Sequence, residues 1–182
     1  ELAKRTQESF SAAASYFQTA IDADPNFALA YAGLGDTLSL QVNYGYGDKE
    51  AQFKEAETVI DQALALDPNL GIAWASKGLL QSQDKENVAA ARLSLEKAMA
   101  LNPSYAMAVM WYASLEEDSS ERLRLYERAV ELDPKSPVAA YNLAQMYADQ
   151  GRGSDVMRLF GQMVEADPNY PKGYELIGRV NV

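Results

Sequence analysis

Apolar residues recur along this chain with the spacing of amphipathic helices, and proline interrupts the pattern at regular intervals. Each interruption follows a similar run of small and aliphatic residues that closes on an acidic or amide residue. Ala20-Ile21-Asp22-Ala23-Asp24 precedes Pro25, and Ala63-Leu64-Ala65-Leu66-Asp67 precedes Pro68. Ala98-Met99-Ala100-Leu101-Asn102, Ala129-Val130-Glu131-Leu132-Asp133 and Met163-Val164-Glu165-Ala166-Asp167 stand before Pro103, Pro134 and Pro168. Proline cannot continue a helix interior, so each run ends one helix and the next begins just beyond it. The five prolines are separated by 43, 35, 31 and 34 residues. A period of about 34 with helical patterning predicts a solenoid of helical hairpins.

The residues after each proline repeat too. An aromatic, an apolar and a small residue follow as Tyr31, Leu34 and Gly35; Trp74, Lys77 and Gly78 vary this, with lysine at the apolar position. Later come Tyr112-Ala113, then Leu143-Ala144 with Tyr147, and finally Tyr174, Ile177 and Gly178. The second helices pair a small with a large residue: Ala13 with Phe17, Ala56 with Ile60, Ala91 with Leu95, Val156 with Phe160. Small residues let antiparallel helices approach, and the large ones fill the notch. This pattern resembles the tetratricopeptide repeat. The resemblance implies an all-α fold, a right-handed superhelical solenoid of antiparallel helix pairs. The fourth unit fits least well, with Val109 at the early aromatic position and Arg122 in place of a small residue.

The expected units are a partial repeat over 1–25, full repeats over 26–68, 69–103, 104–134 and 135–168, and a further first helix or cap over 169–182. The start at Glu1 suggests a processed form or an excised fragment, and the last helix a hairpin lacking its second half. Both lead to the expectation that more protein lies beyond one or both ends.

Composition narrows function. With 48% hydrophobic residues among 182, the chain can build a core. There are 16 Lys plus Arg against 26 Asp plus Glu, and a net charge of -10 argues against phosphate backbones and anionic membranes. No stretch approaches the ~18 apolar residues of a membrane span; the longest apolar run, Ala106 to Ala113, suits a buried helix. The absence of cysteine and histidine removes thiolate chemistry, the usual general base and the commonest metal ligand. No catalytic residue, metal or cofactor is expected. The cysteine count fits a reducing compartment, and a cytoplasmic location is expected.

Several irregular places invite a choice. The long second unit carries its excess near Gln41 to Asp48, where Tyr44 and Tyr46 alternate with Gly45 and Gly47. They are either a contact site or packing for their own hairpin ends. Gly45 and Gly47, like Gly151 and Gly153, do not complete a nucleotide-binding loop. Asp149 and Asp155 lack the ligand order of a calcium loop, leaving a tight turn. Glu116, Glu117, Asp118 and Glu121 read as a solvated, mutually repelling turn.

In the tetratricopeptide family the first helix of each hairpin lines a concave face. Carried over to this sequence, the partner-binding candidates are Leu29, Asp36, Ile72, Leu79, Met107, Met110, Trp111, Tyr141, Asn142 and Gln145. Methionines adapt to irregular apolar surfaces and aromatics serve as anchors, so Met107, Met110, Trp111 and Tyr141 stand out. The competing reading has Trp111 and the methionines filling the core of a poorly matching repeat; Trp74 is expected in the core. The family's carboxylate clamp is not reproduced, because Met110, Ser114 and Leu176 stand where Lys, Asn and Arg are wanted. Phe27 to Leu34 and Tyr105 to Ala113 also resemble repeat regions of bacterial winged-helix and adenylate-cyclase-like signalling proteins. The expected function is a non-catalytic scaffold for a protein or peptide within a larger regulator. The alternative is self-association into a homo-oligomer.

Overall fold

The computed structural model describes residues 6–180. Ten α-helices run through the described residues: α1 (Gln7–Ala23), α2 (Ala28–Tyr44), α3 (Lys49–Leu66), α4 (Gly71–Gln81), α5 (Val88–Leu101), α6 (Ala106–Ser114), α7 (Ser119–Leu132), α8 (Pro137–Asp149), α9 (Gly153–Ala166) and α10 (Pro171–Val180). A 3₁₀ turn over Lys85–Asn87 precedes α5, and no strand occurs among the described residues. The fold is all-α, built of antiparallel helix pairs.

The recurrent acidic residue before proline has a definite task. At Asp24, Asp67, Asp133 and Asp167, the backbone N–H closes the last helical turn onto the carbonyl four residues back. Each Oδ1 then accepts the N–H two residues on, at 3.0 Å from Asn26, 2.9 Å from Asn69, 3.2 Å from Lys135 and 3.0 Å from Asn169. The side chain thus supplies an acceptor where the helix has run out, while proline prevents continuation. The signature aromatic completes the turn in two repeats. Trp74 Nε1 donates to Pro68 O, and Tyr174 Oη to Pro168 O, each at 2.9 Å.

Starts are equally legible. Thr6 and Ser9 form a reciprocal cap on α1, and Asp48, Asp118 and Ser136 cap α3, α7 and α8 through side-chain oxygens.

The chain divides into two compact units, Glu1–Trp111 and Tyr112–Val182. In the first, α1 packs on α2, α2 on α3 and α4, α3 on α4, and α4 on α5. Ile21, Leu34, Leu38, Val42, Ile60 and Leu80 form its main core. Glycine decides how closely the pairs approach. A Cβ on Gly35 would stand 2.5 Å from Ile60 Cγ1, and one on Gly78 2.5 Å from Leu95 Cγ. In the second unit α7 packs on α8, α8 on α9, and α10 on both α8 and α9. Leu125, Tyr126, Leu143, Val156, Leu159 and Met163 are buried there.

Three places differ in detail from the simple repeat. In the long unit Gln41 to Tyr44 continue α2, and Gly45–Asp48 connect it to α3. Gly45 and Gly47 take φ of 73° and 83°, a region glycine enters without a Cβ clash. Tyr44 and Tyr46 stack with centroids 6.1 Å apart, and both rings pack on the buried Phe10 of α1. Second, the acidic turn at Glu116–Glu121 is not simply repelling. Arg122, the misfit in the pattern, donates from Nε to Glu116 O at 2.8 Å, and Asp118 caps α7. The Arg124 guanidinium beside Glu121 holds that carboxyl below its usual range. Third, Trp74 is half-buried rather than core, with Lys97 Nζ 3.9 Å from its ring centroid.

Candidate functional site

The first unit contains an apolar trough of about 530 Å³ where α1, α2 and α4 meet near Tyr105. Its floor is set by small residues. Ala20, Ala30 and Gly33 keep the helix surfaces low, and the Phe17 ring lies over Gly33, where a Cβ would come within 2.3 Å of it. Its rim is open and apolar: Tyr16, Phe27 and Leu29 are 71%, 43% and 49% exposed. Ile72 and Tyr105 complete the apolar lining. Large apolar side chains left this exposed side by side mark binding surfaces more often than solitary ones do.

Among the described residues of the lining, Asp36, half-buried, is the only charged one. Its Oδ1 lies 3.5 Å from Ser76 Oγ, whose hydroxyl also reaches Ile72 O at 3.1 Å. Behind the trough, the fully buried hydroxyls of Thr37 and Ser39 bond back to Gly33 O and Gly35 O at 2.8 and 2.7 Å. Those internal bonds let polar residues pass between α2 and α4 without an unsatisfied group.

Three sequence-derived candidates, Leu29, Asp36 and Ile72, therefore come together. Others do not join them. Leu79, Met110 and Trp111 are 3%, 4% and 7% exposed, and Trp111 meets Tyr105 edge-on with centroids 6.4 Å apart. Burial leaves these three side chains little surface to offer a ligand, in keeping with the core-filling reading. Met107 is half-buried.

The remaining candidates lie in the second unit. Tyr141 packs against Tyr170 at 6.3 Å and accepts from Arg179 at 3.3 Å. Gln145 lines a separate cavity of about 580 Å³ with Asp149, Leu176 and Arg179. Asn142 is half-buried.

Sequence reasoning missed Tyr16, Phe17 and Phe27. The available signal was the aromatic pair Tyr16-Phe17, which a single packing stripe on α1 cannot bury on both sides. Among the described residues no cluster of acidic side chains could hold a metal ion, and no helix is long and apolar enough to cross a membrane.

Tetratricopeptide repeat models match residues 2–45 and 120–180, together more than half of the chain. The chain belongs to the tetratricopeptide repeat family. Solved structures of that family share its fold. A thermophilic tetratricopeptide protein from Thermus thermophilus, TTC0263, superposes with a TM-score of 0.70 at 18% identity, covering 94% of this chain and 89% of that one. YrrB, a tetratricopeptide protein described as having an unusual peptide-binding site, gives 0.54 at 20% identity, covering 94% and 84%. MamA gives 0.53 at 23% identity, covering 93% and 95%. No curated protein matches the sequence significantly. As a tetratricopeptide repeat protein, the chain is a protein-interaction scaffold.

Proposed function

We propose that this repeat protein is non-catalytic and binds an apolar segment of a partner protein, an extended peptide or one helix, in the trough of its first unit. The observation that carries this reading is the rim, where Tyr16, Phe27 and Leu29 stand exposed around an apolar floor. Covering them releases water from apolar surface, at about 25 cal/mol per Å² before the cost of ordering the partner. An apolar ligand face suits such a groove, as in other helix-in-groove complexes. The similarity to YrrB supports the same direction. As part of the same proposal, the chain is the repeat region of a larger bacterial regulatory protein in the cytoplasm. That part rests on the likeness of Phe27 to Leu34 and Tyr105 to Ala113 to repeat regions of such regulators.

The test is a photo-crosslinking benzophenone side chain at position 29, with position 93 on α5 as control, since Leu93 is also well exposed but not in the lining. Expected is a discrete adduct with another protein from position 29 and none from position 93. Equal adducts from both sites would overturn the reading. Adducts only to the chain itself, with sedimentation that shifts with concentration, would establish self-association in its place.

A further inference from the structure

We infer that the trough takes a helix of its partner rather than an extended segment, and that this helix meets Phe17 with glycine or alanine. This rests on the trough being the binding site and adds the form and chemistry of its ligand. Pro25 and Pro68 set α2 and α4 in register, so Leu29 and Gly33 of α2 correspond to Ile72 and Ser76 of α4. On α4 that face is covered by a helix, because α2 packs along it. Ser76 is 0% exposed, and Ser39 Oγ of α2 reaches its carbonyl at 3.4 Å. On α2 the same face is the trough, where Leu29 is 49% exposed and Gly33 half-buried. A helix laid there repeats a contact that the fold already makes between α2 and α4. The lining helices have their backbone groups bonded within their own turns. An extended segment would therefore press unpaired N–H and C=O groups against apolar side chains, whereas a helix brings them already bonded.

Phe17 decides what that helix carries. It stands eight residues before Pro25, as Ile60 and Leu95 stand eight before Pro68 and Pro103. Ile60 and Leu95 fit the glycine notches of first helices, at Gly35 and Gly78, and are 1% and 0% exposed. Phe17 rests over Gly33 but is only half-buried, and Tyr16 beside it is 71% exposed. The partner helix thus takes the place of a first helix paired with α1, and a small residue on it receives the open side of the Phe17 ring as Gly35 receives Ile60. A larger residue there would hold the helices apart and lose the apolar contacts at Phe27 and Leu29. The ligand is an amphipathic helix whose apolar stripe is interrupted by one glycine or alanine, with aliphatic or aromatic residues three or four positions away.

The experiment pans two phage-displayed libraries on the wild-type chain, one of helix-forming peptides randomised along a single face and one of proline-rich peptides that stay extended. Leu29→Asp, Phe17→Leu and Phe17→Ala serve as variants, each checked for folding by circular dichroism. Wild-type protein is expected to enrich helical peptides with glycine or alanine fixed at one position of the apolar stripe. For the best peptide, replacing that residue with leucine should weaken binding to wild type about tenfold, the effect of one overpacked contact. The same replacement should cost less on Phe17→Leu and least on Phe17→Ala, because the shortened side chain makes room. An equal loss on wild type and both Phe17 variants overturns the pairing with Phe17. If only the extended library yields binders, and Leu29→Asp loses them, this inference falls and the trough reading stands. If neither library yields a binder, or the binders survive Leu29→Asp, the trough reading falls with it. An oligomer in sedimentation that Leu29→Asp disperses would make a second copy the occupant and overturn both.

Discussion

In residues 6–111, hairpins close by shape: Gly35 and Gly78 receive Ile60 and Leu95 so closely that a Cβ has no room. In residues 112–180 the corresponding small residue of α8 is Ala144, and the glycine of α10, Gly178, has nothing within 4 Å of a Cβ. There, polar clips add to the packing. Tyr147 Oη donates to Glu127 Oε1 at 2.8 Å, and the Arg152 guanidinium lies 3.8 Å from the Tyr147 ring centroid while pairing with Asp155 at 2.8 Å. Arg122 ties the turn before α7 to its own carbonyls. One repeat architecture is thus closed in two ways. At Gly35 and Gly78 closure by shape leaves no room for an added Cβ and uses no titrating side chain. Clip closure tolerates volume but depends on protonation.

The sharpest break of that comparison is Ile60→Ala. Ile60 is 1% exposed and fills the Gly35 notch, so its truncation should cost about 2–5 kcal/mol. Hydrogen exchange should show the opening in α2 and α3 while α8 and α9 keep their protection. Gly78→Ala comes next. Overpacking against Leu95 costs about 1–3 kcal/mol, and the better helix propensity of alanine returns up to about 1. A net loss near 1–2 kcal/mol is expected in denaturant melts. Gly178→Ala is its counterpart and should be neutral or stabilise by about 0.5 kcal/mol, because the space is open. Equal penalties at both glycines would erase the distinction.

Gly33→Ala separates stability from binding. The displaced atoms belong to the half-buried Phe17 ring, which can turn toward the trough. Stability should change by less than about 1 kcal/mol, while binding of a trough ligand weakens.

The last effect is alkaline. Burial, and then the bond to Glu127, push the Tyr147 phenol above its ordinary value. The neutral phenol is therefore favoured by folding. Its contribution is fully present below about pH 10, the ordinary phenol value, and is lost as pH rises through the higher folded value. Protection of α8 should fall in that range. Tyr147→Phe should cost about 0.5–1.5 kcal/mol at neutral pH and reduce the alkaline loss. Tyr126, also raised by burial, leaves a remainder.

The two tryptophans show where reading the sequence succeeds and fails. Trp74 occupies the signature aromatic position, which says core. Instead its ring is half-buried under Lys97, and its Nε1 spans the turn to Pro68 O. Trp111, one residue before the pattern position of Tyr112, is open in the sequence to both an outward and a core-filling reading, and it is buried. Helical periodicity gives the direction a side chain leaves its own helix, but not how deeply its neighbours cover it. The same limit hid half of the trough. Leu29, Asp36 and Ile72 followed from their register on first helices, whereas Tyr16 and Phe27 lie outside that register and join the site only through the packing of α1 on α2.

What this chain's sequence determined by itself was local: the helices, their stops at Asp-Pro and Asn-Pro, and the repeat they build. Those follow from backbone geometry and short-range hydrogen bonds, which neighbouring residues fix without help from the rest of the chain. Which apolar side chains would be buried, and that Tyr16, Phe27 and Leu29 would surround one trough with the Asp36 carboxylate in its lining, was decided only by tertiary packing. Burial is a property of several helices together, and the notches and bulges that set their separation act between residues far apart in sequence.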